Sequence, residues 1–540
     1  MTTTSHSVEA DYDAIVIGAG FSGLYILKRL RDLGLSARLY EAGSGVGGAW
    51  YWNRYPGART DSDSMIYCFS EWFDEDLVRE WGWRERYSSQ PELERYFNWV
   101  ADRLDLRRDI DFDTRLRSAV YDEQAALWTL TTEQGSVATA RYFIPAVGAL
   151  SDPNVPDFPG LADFQGPCHH SAQFPKDGID FAGKRVAVIG NGATGVQIVP
   201  EVAKTADSVR HFIRNPCHLV PGRNHVLAEA DVEATKEAIT EILGYSRNTF
   251  GGFPYDFLGT ALDTSPAERQ AAYQKSWEQG GFTFLFLFAD VLASREANDT
   301  TMDFLREKIR TLVRDPATAG LVTPTDPWLT KRPPLEHGYY SALNRDNVHV
   351  VDIKANPVDA VTSNAIRLAD GTEHEADVIL LATGFDSYTG SLSKIAIRGR
   401  DELPLTARWA DRPRNHLGLM SAKFPNMFML YCGPYNPAPF TNGPTLIEQQ
   451  AEWILDWIQY LDANGHVAME PTEAAEEEFF ALHSEIANST LIPETSSWWT
   501  RAAAGADEPR LVMSWAGGFP EYRRLCDVNA AGKTDHFVLR

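Results

Sequence analysis

The chain has little of what cross-linked, fibrous or membrane-spanning proteins need. Its 540 residues hold five cysteines (Cys68, Cys168, Cys217, Cys432, Cys526), far apart, with no CxxC pair and an odd total. A disulfide framework or a structural zinc is therefore not expected, no metal site is expected, and a reducing cytoplasm fits. Cation is scarce: 50 Lys+Arg against 74 Asp+Glu leave a net charge of -24. Nucleic acid and anionic membrane are excluded as broad partners, because both need excess positive charge. The most apolar stretch, Phe282 to Ala289, is far shorter than the about 20 residues of a membrane helix. The start, MTTTSHSVEADYDA, has neither the basic region nor the apolar core of a signal peptide.

What is present is ordinary globular composition, 44% apolar and 23% charged, in a chain long enough for several domains at roughly 150 residues each. Asp13 to Ile17 is a short apolar run suited to a buried parallel strand. It enters Gly18-Ala-Gly-Phe-Ser-Gly23 and an apolar-periodic helix to Leu33, with Gly34 placed as its C-cap. Leu35 to Glu41 supplies a second strand. Strand, glycine turn, helix, strand and terminal acid form the dinucleotide-binding unit.

The pattern occurs twice. Lys184 to Ile189 leads into Gly190-Asn-Gly-Ala-Thr-Gly195, a helix that Pro200 should kink or shorten, and a strand from Ser208 to Ile213. One such glycine motif is a weak signal; two in full setting are strong. The units differ at the end of the second strand. Glu41, eighteen residues past Gly23, can accept ribose hydroxyls, as FAD requires. Arg214, nineteen past Gly195, can bind a ribose 2′-phosphate, as NADPH requires. From spacing alone, Glu41 also reads as a solvated strand-end acid and Arg214 as a surface charge.

The expected architecture is α/β, with two Rossmann-like dinucleotide-binding domains and a helical insertion in the second. Residues 1–150 and 390–540 are assigned to a discontinuous FAD domain, and 151–221 with 331–389 to the NADP domain. Residues 222–330, with helix-like segments at Ala267–Gln279 and Thr300–Val313, form the insertion. Pro-rich crossovers at 151–159 and near 387–405 are candidate hinges. Leu446–Leu461 is read as a helix.

At Gly47-Gly48-Ala49-Trp50-Tyr51-Trp52-Asn53-Arg54-Tyr55-Pro56-Gly57-Ala58-Arg59-Thr60-Asp61 the chain resembles the type I Baeyer–Villiger monooxygenases, whose longer fingerprint is met at every specified position. The shorter fingerprint is met at Phe164, Gly166, His170 and Pro175 and departs at Phe174, where the family usually has Trp. Sibling N-hydroxylating and flavin-containing monooxygenases carry Phe or Tyr there. Lys331-Arg332-Pro333 is similar to the family's segment bearing its active-site arginine. The resemblance implies a catalytic pair, Arg332 oriented by Asp61, with FAD held by Gly18, Gly20, Gly23, Glu41, Gly48, Trp50 and Asp61. It implies an NADP site of Gly190, Gly192, Thr194, Gly195, Arg214, Lys331, Arg332 and Trp498. His170 then serves domain movement and cofactor placement, although its neighbour His169 is an alternative. As simpler readings, Asp61 caps a turn, Arg332 is solvated and Trp498 is packing. After Trp498 the chain runs Thr500-Arg-Ala-Ala-Ala-Gly505, without the family's usual Asn-Ile-Pro-Gly-Lys. Tyr435, Phe440 and Trp499 fall near the substrate cavity by segment position.

The implied reaction inserts one atom of O2 beside a ketone carbonyl, giving an ester or lactone through a C4a-peroxyflavin and a tetrahedral (Criegee) intermediate. An arginine suits it, since its charge stabilises an anionic oxygen while it remains a poor proton donor. The implied protein is a cytoplasmic monomer taking a small ketone and O2. Three readings compete. One is an N- or S-oxygenating monooxygenase, supported by Phe174. Another is a disulfide-type reductase, which needs a CxxC or CxxxxC pair the sequence lacks. The third is a non-catalytic nucleotide-binding flavoprotein.

Overall fold

The computed structural model describes residues 9–502 and 509–540. Two parallel-stranded cores dominate it. Tyr12–Ile17, whose last four residues are buried, lies between Ala37–Tyr40 and Val137–Pro145, parallel to both. The full first sheet has seven strands. Ile110–Asp111 closes one end, and an antiparallel meander (Leu116–Asp122, Leu127–Thr132, Val137–Pro145) with Ala396–Arg398 extends the other. The second sheet has five parallel strands in the order Val348–Asp352, Ser208–Ile213, Arg185–Ile189, Val378–Leu381, Cys168–His170. Buried parallel strands need continuous apolar runs, and Arg185–Ile189 and Val378–Leu381 have them.

Each sheet feeds a glycine-led helix. The first runs Phe21–Asp32, with Gly34 just beyond it at φ 77. The second, Ala193–Val202, is ten residues long with Pro200 inside, short as the proline demands. The expected Ala267–Gln279, Thr300–Val313 and Leu446–Leu461 helices run Pro266–Gln279, Arg295–Leu312 and Gly443–Asn464. Helices at Gln90–Arg103, Glu229–Ser246 and Glu473–Asn488 add to them.

Residues 222–330 leave and re-enter the chain of the second unit; Ile309, Val313, Ala319 and Val322 pack in that unit's core, whereas many of their other apolar side chains pack elsewhere. Phe253, Phe282, Phe286 and Trp328 share one buried cluster with Leu24, Leu27 and Leu446 of the first unit and its C-terminal helix. The two passages between insertion and second unit run side by side, Val220–Pro221 pairing in parallel with Leu335–Glu336. The two crossovers between nucleotide units also pair, Asp152 opposite Asp386 and Pro153 opposite Phe385. Joining the crossovers in one short ribbon makes any hinge there a shared one. No helix among the described residues is long and apolar enough to cross a membrane.

Candidate active site and nucleotide sites

Both glycine turns are built for close approach. Gly18 and Gly190 adopt φ 103 and 115, and a Cβ on Gly190 would lie 2.2 Å from the Ala382 carbonyl oxygen. A Cβ on Gly23 or Gly195 would lie 1.8 or 2.0 Å from the carbonyl oxygen that opens its own turn. Helix, turn and strand can therefore pack only if both positions are glycine. The helices start at Gly20 and Gly192 without a side-chain cap, leaving their first N–H groups for a phosphate. The middle glycines differ. Gly20 sits against Gly48, itself at φ 54, whereas a Cβ on Gly192 would meet nothing within 4 Å. The donor sets fit two pyrophosphates, the first covered by the long motif and the second open.

The strand-end residues are equally distinct. Glu41 is buried, and its two oxygens accept the N–H groups of Ala19 and Gly43 at 2.7 Å each. Burial pushes its carboxyl up, against those two hydrogen bonds. Four lone-pair sites still leave it able to accept hydroxyls. Arg214 is exposed just past Ser208–Ile213. Thr194, on the first turn of the second helix, faces Tyr55, whose hydroxyl donates to Gln197 Oε1 at 2.9 Å. The long motif thus bridges the two units. Lys331 is ion-paired with Asp326, so its ammonium is already partnered. It still lies near the second turn: its charge acts on Cys217, whose thiol donates to the Asn191 carbonyl at 2.7 Å.

Arg332 and Asp61 meet between the units. Arg332 Nε and Nη2 donate to the two Asp61 oxygens at 2.8 and 2.9 Å, and Nη1 donates to the Pro439 carbonyl at 2.7 Å. The guanidinium carbon lies 4.7 Å from the centre of the Phe282 ring. Burial opposes the charge, but Asp61 outweighs it and holds the guanidinium above its ordinary range. Tyr67 and Tyr431 stand close enough to feel that charge, and burial raises both hydroxyls, Tyr431 to about 12. Trp50 Nε1 donates to Tyr67 at 3.2 Å, which ties the long motif to the same place.

His170 is buried, with Nε2 3.0 Å from the Gly384 carbonyl and Nδ1 accepting from Ala172 N at 3.1 Å. That assigns the proton to Nε2, and burial lowers the ring's pKa. The ring clips the fingerprint segment to the second crossover. Gly166 has no room for a side chain, since a Cβ would lie 2.2 Å from the Asp377 carbonyl oxygen. Phe164 packs against the second sheet's smaller cluster, and Phe174 is buried in the other cluster of that unit with Phe181 and Val186. Phe174 is therefore core filling, and Pro175 accepts the turn bond from Gly178 at 3.1 Å.

Trp498 stacks on Tyr388 with centroids 6.3 Å apart, and Tyr388 feels the charge of Arg332. Residues 503–505 of the altered loop lie outside the described residues. Phe440 follows the carbonyl that receives Arg332 and packs on Trp499 at 4.7 Å. Tyr435 points away, its hydroxyl donating to the Pro413 carbonyl at 3.1 Å. Pro439 and Phe282 are additions. A backbone acceptor leaves no mark in a sequence, whereas the aromatic run around Phe282 is a visible signal without a visible target.

Two dinucleotide units closing on a carboxylate-held arginine define a nucleotide-dependent oxidoreductase. The flavin-binding monooxygenase-like family model matches residues 12–221. An acetone monooxygenase (methyl acetate-forming) of Gordonia sp. strain TY-5 is 44% identical over 529 residues, covering 98% of this chain and 99% of that one. A Baeyer–Villiger monooxygenase of Pseudooceanicola batsensis is 41% identical over 529 residues, with 97% and 95% covered. A phenazine N-monooxygenase of Lysobacter antibioticus is 41% identical over 532 residues, with 98% and 97% covered. The crystal structure of OTEMO in complex with FAD and NADP superposes with a TM-score of 0.94 at 39% identity, covering 98% of this chain and all of that one. The chain belongs to the type I Baeyer–Villiger monooxygenases, enzymes that use FAD and NADPH.

Proposed function

We propose that this chain converts small ketones to esters or lactones with NADPH and O2, and that Arg332 is its catalytic arginine. The observation that carries the reading is the fork between Arg332 and Asp61 beneath an aromatic wall. Gly18, Gly20, Gly23, Glu41, Gly48 and Trp50 would hold FAD, which when bound would supply hydride acceptance and oxygen activation. Gly190, Gly192, Thr194, Gly195 and Arg214 would hold NADPH, with contributions from Lys331 and Trp498. Arg214 selects the 2′-phosphate, and Lys331 joins it when Asp326 yields its ammonium.

Arg332 provides a fixed positive charge where negative charge develops on the transferred oxygen and then on the ketone oxygen. Its raised pKa keeps it from protonating that oxygen, which would turn a nucleophile toward carbonyls into an electrophile suited to amines and sulfides. This favours ketones over the N-oxygenation named for one relative. Asp61 aims the guanidinium and balances its charge. Phe282 covers one guanidinium face and excludes water. His170 holds the crossover ribbon on which closure turns.

All five cysteines are free thiols, which supports a reducing, cytoplasmic setting; a monomer is proposed with it. A panel of linear, cyclic and aryl ketones, with amines and sulfides alongside, tests the reading by product analysis. Ester or lactone formation supports it, and oxidation of amines or sulfides alone overturns it.

A further inference from the structure

The C-terminal segment that carries Trp498 is stapled to the second crossover by three consecutive side chains. Ser387 Oγ donates to the Trp498 carbonyl at 2.7 Å. The Tyr388 hydroxyl lies 2.8 Å from Ser514 Oγ. Arg501 donates through Nη2 to Thr389 Oγ1. Thr500–Arg501 also pairs antiparallel with Leu511–Val512, and Arg510 Nε donates to Thr500 Oγ1 at 3.0 Å. The first two staples fix a backbone carbonyl and a neighbouring strand. Only the third places a charged side chain across the gap, onto a threonine that is itself buried.

We propose that Arg501 is a positioning residue: bonded to Thr389, it holds Trp498 against Tyr388 in a chain that lacks the Asn-Ile-Pro-Gly-Lys stretch after Thr500. The physical need is clear from the contacts. Stacking on Tyr388 covers one face of Trp498, the Ser387 bond reaches only its carbonyl, and the pairing with Leu511–Val512 ties the strand that follows to its neighbour but not to the crossover. A guanidinium can fix it from three residues away, because a charge-assisted bond to a buried hydroxyl is stronger than a neutral one and leaves Thr389 Oγ1 unpaired when lost. The inference rests on Trp498 lying beside bound NADP.

The test uses FAD-loaded enzyme and reads the KM for NADPH, kcat, and the fraction of consumed NADPH that appears as hydrogen peroxide instead of ester. Arg501→Ala should raise the KM for NADPH about tenfold, the equivalent of one charge-assisted hydrogen bond, and make peroxide the main product, with kcat changed far less. Thr389→Val should match it, the double variant should be no worse than either single one, and Arg501→Lys should recover most of the coupling. Trp498→Ala separates the two readings. If it uncouples the enzyme while Arg501→Ala and Thr389→Val do not, the anchor is wrong and the Trp498 reading stands. If Trp498→Ala changes nothing, the Trp498 reading fails and the anchor with it. Additive effects in the double variant also overturn the anchor. Should Arg501→Ala fail to fold, Thr389→Val decides.

Discussion

Arg332 and Asp61, 271 residues apart in the chain, share two parallel hydrogen bonds of 2.8 and 2.9 Å. The arginine side chain is 18% exposed and the aspartate 34%, so the pair is half-sheltered at the meeting of the two nucleotide units. A bidentate fork fixes direction as well as distance, which a single ion pair does not.

Removing the fork should therefore separate oxygen activation from oxygen transfer. Arg332→Ala should consume NADPH and release peroxide yet lose ester formation by at least about a hundredfold, the scale of one lost transition-state donor. Arg332→Lys should fall nearly as far, since an ammonium cannot fork. Asp61→Asn keeps the shape and removes the balancing charge, so it should lose less than Arg332→Ala. Steady-state rates with product and peroxide quantified together check all three. Equal ester yields in Arg332→Ala and the parent would remove this residue from the chemistry.

Nucleotide selection should reside in Arg214 more than in Lys331. Arg214→Ala should raise the KM for NADPH by about tenfold or more, one charge-assisted hydrogen bond, and leave the KM for NADH unchanged. Lys331→Ala should cost less, because the lysine is partnered by Asp326. Asp326→Asn should lower the KM for NADPH by freeing that ammonium. Kinetics with both nucleotides measure the preference, and equal losses with NADH and NADPH in Arg214→Ala would contradict it.

The second glycine turn offers a contrast between packing and ligand approach. Gly195→Ala drives a methyl into the Gly190 carbonyl at 2.0 Å and should destabilise the second unit. Gly192→Ala finds open space, so the protein should fold and load FAD normally while its KM for NADPH rises. Thermal melting and NADPH kinetics, measured side by side, give the comparison. A Gly192→Ala enzyme with parental NADPH kinetics would place the phosphate elsewhere.

His211 beneath that turn makes stability depend on pH. It is fully buried, with Nε2 2.9 Å from the Gly190 carbonyl and Nδ1 3.1 Å from the Tyr339 hydroxyl. Burial depresses its pKa from 6.5 to about 4. The unfolded chain then binds a proton that the folded one refuses, so this contribution is present above 6.5 and is lost as pH falls toward about 4, at roughly 1.4 kcal/mol per pH unit. Glu448, pushed up to about 7 by burial, works in the opposite direction, so the variant comparison is the informative one. His211→Gln should flatten the acid limb of a Tm-against-pH curve relative to the parent; parallel curves would show that the histidine titrates alike in both states.

Much of this was readable from sequence because a dinucleotide unit is local. Strand, turn, helix and strand fall within about 30 residues, so Glu41 and Arg214 are located by counting. The pairing of Arg332 with Asp61 follows from no spacing and was reached only through motif resemblance. Apolar periodicity shows that the insertion's residues are buried but not against what, hence the division of its packing between the two units came from the structure. The meander does not show as strict alternation: a bulge separates Leu116 from Ala119, the apolar Val120 stands between Ala119 and Tyr121, and Leu127 and Trp128 are adjacent and both buried. The Lys331–Asp326 pair was near at hand, five residues apart, but only the fold turns the two side chains together.

Placing one atom of O2 beside a ketone carbonyl is the chemistry on which every assignment above depends. It is tested most directly by incubating FAD-loaded protein with NADPH, a ketone and 18O2, then weighing the product. The expected product is an ester or lactone carrying a single 18O, absent from Arg332→Ala. An ester whose added oxygen comes from water, or NADPH consumption that yields only peroxide across every ketone supplied, would contradict it.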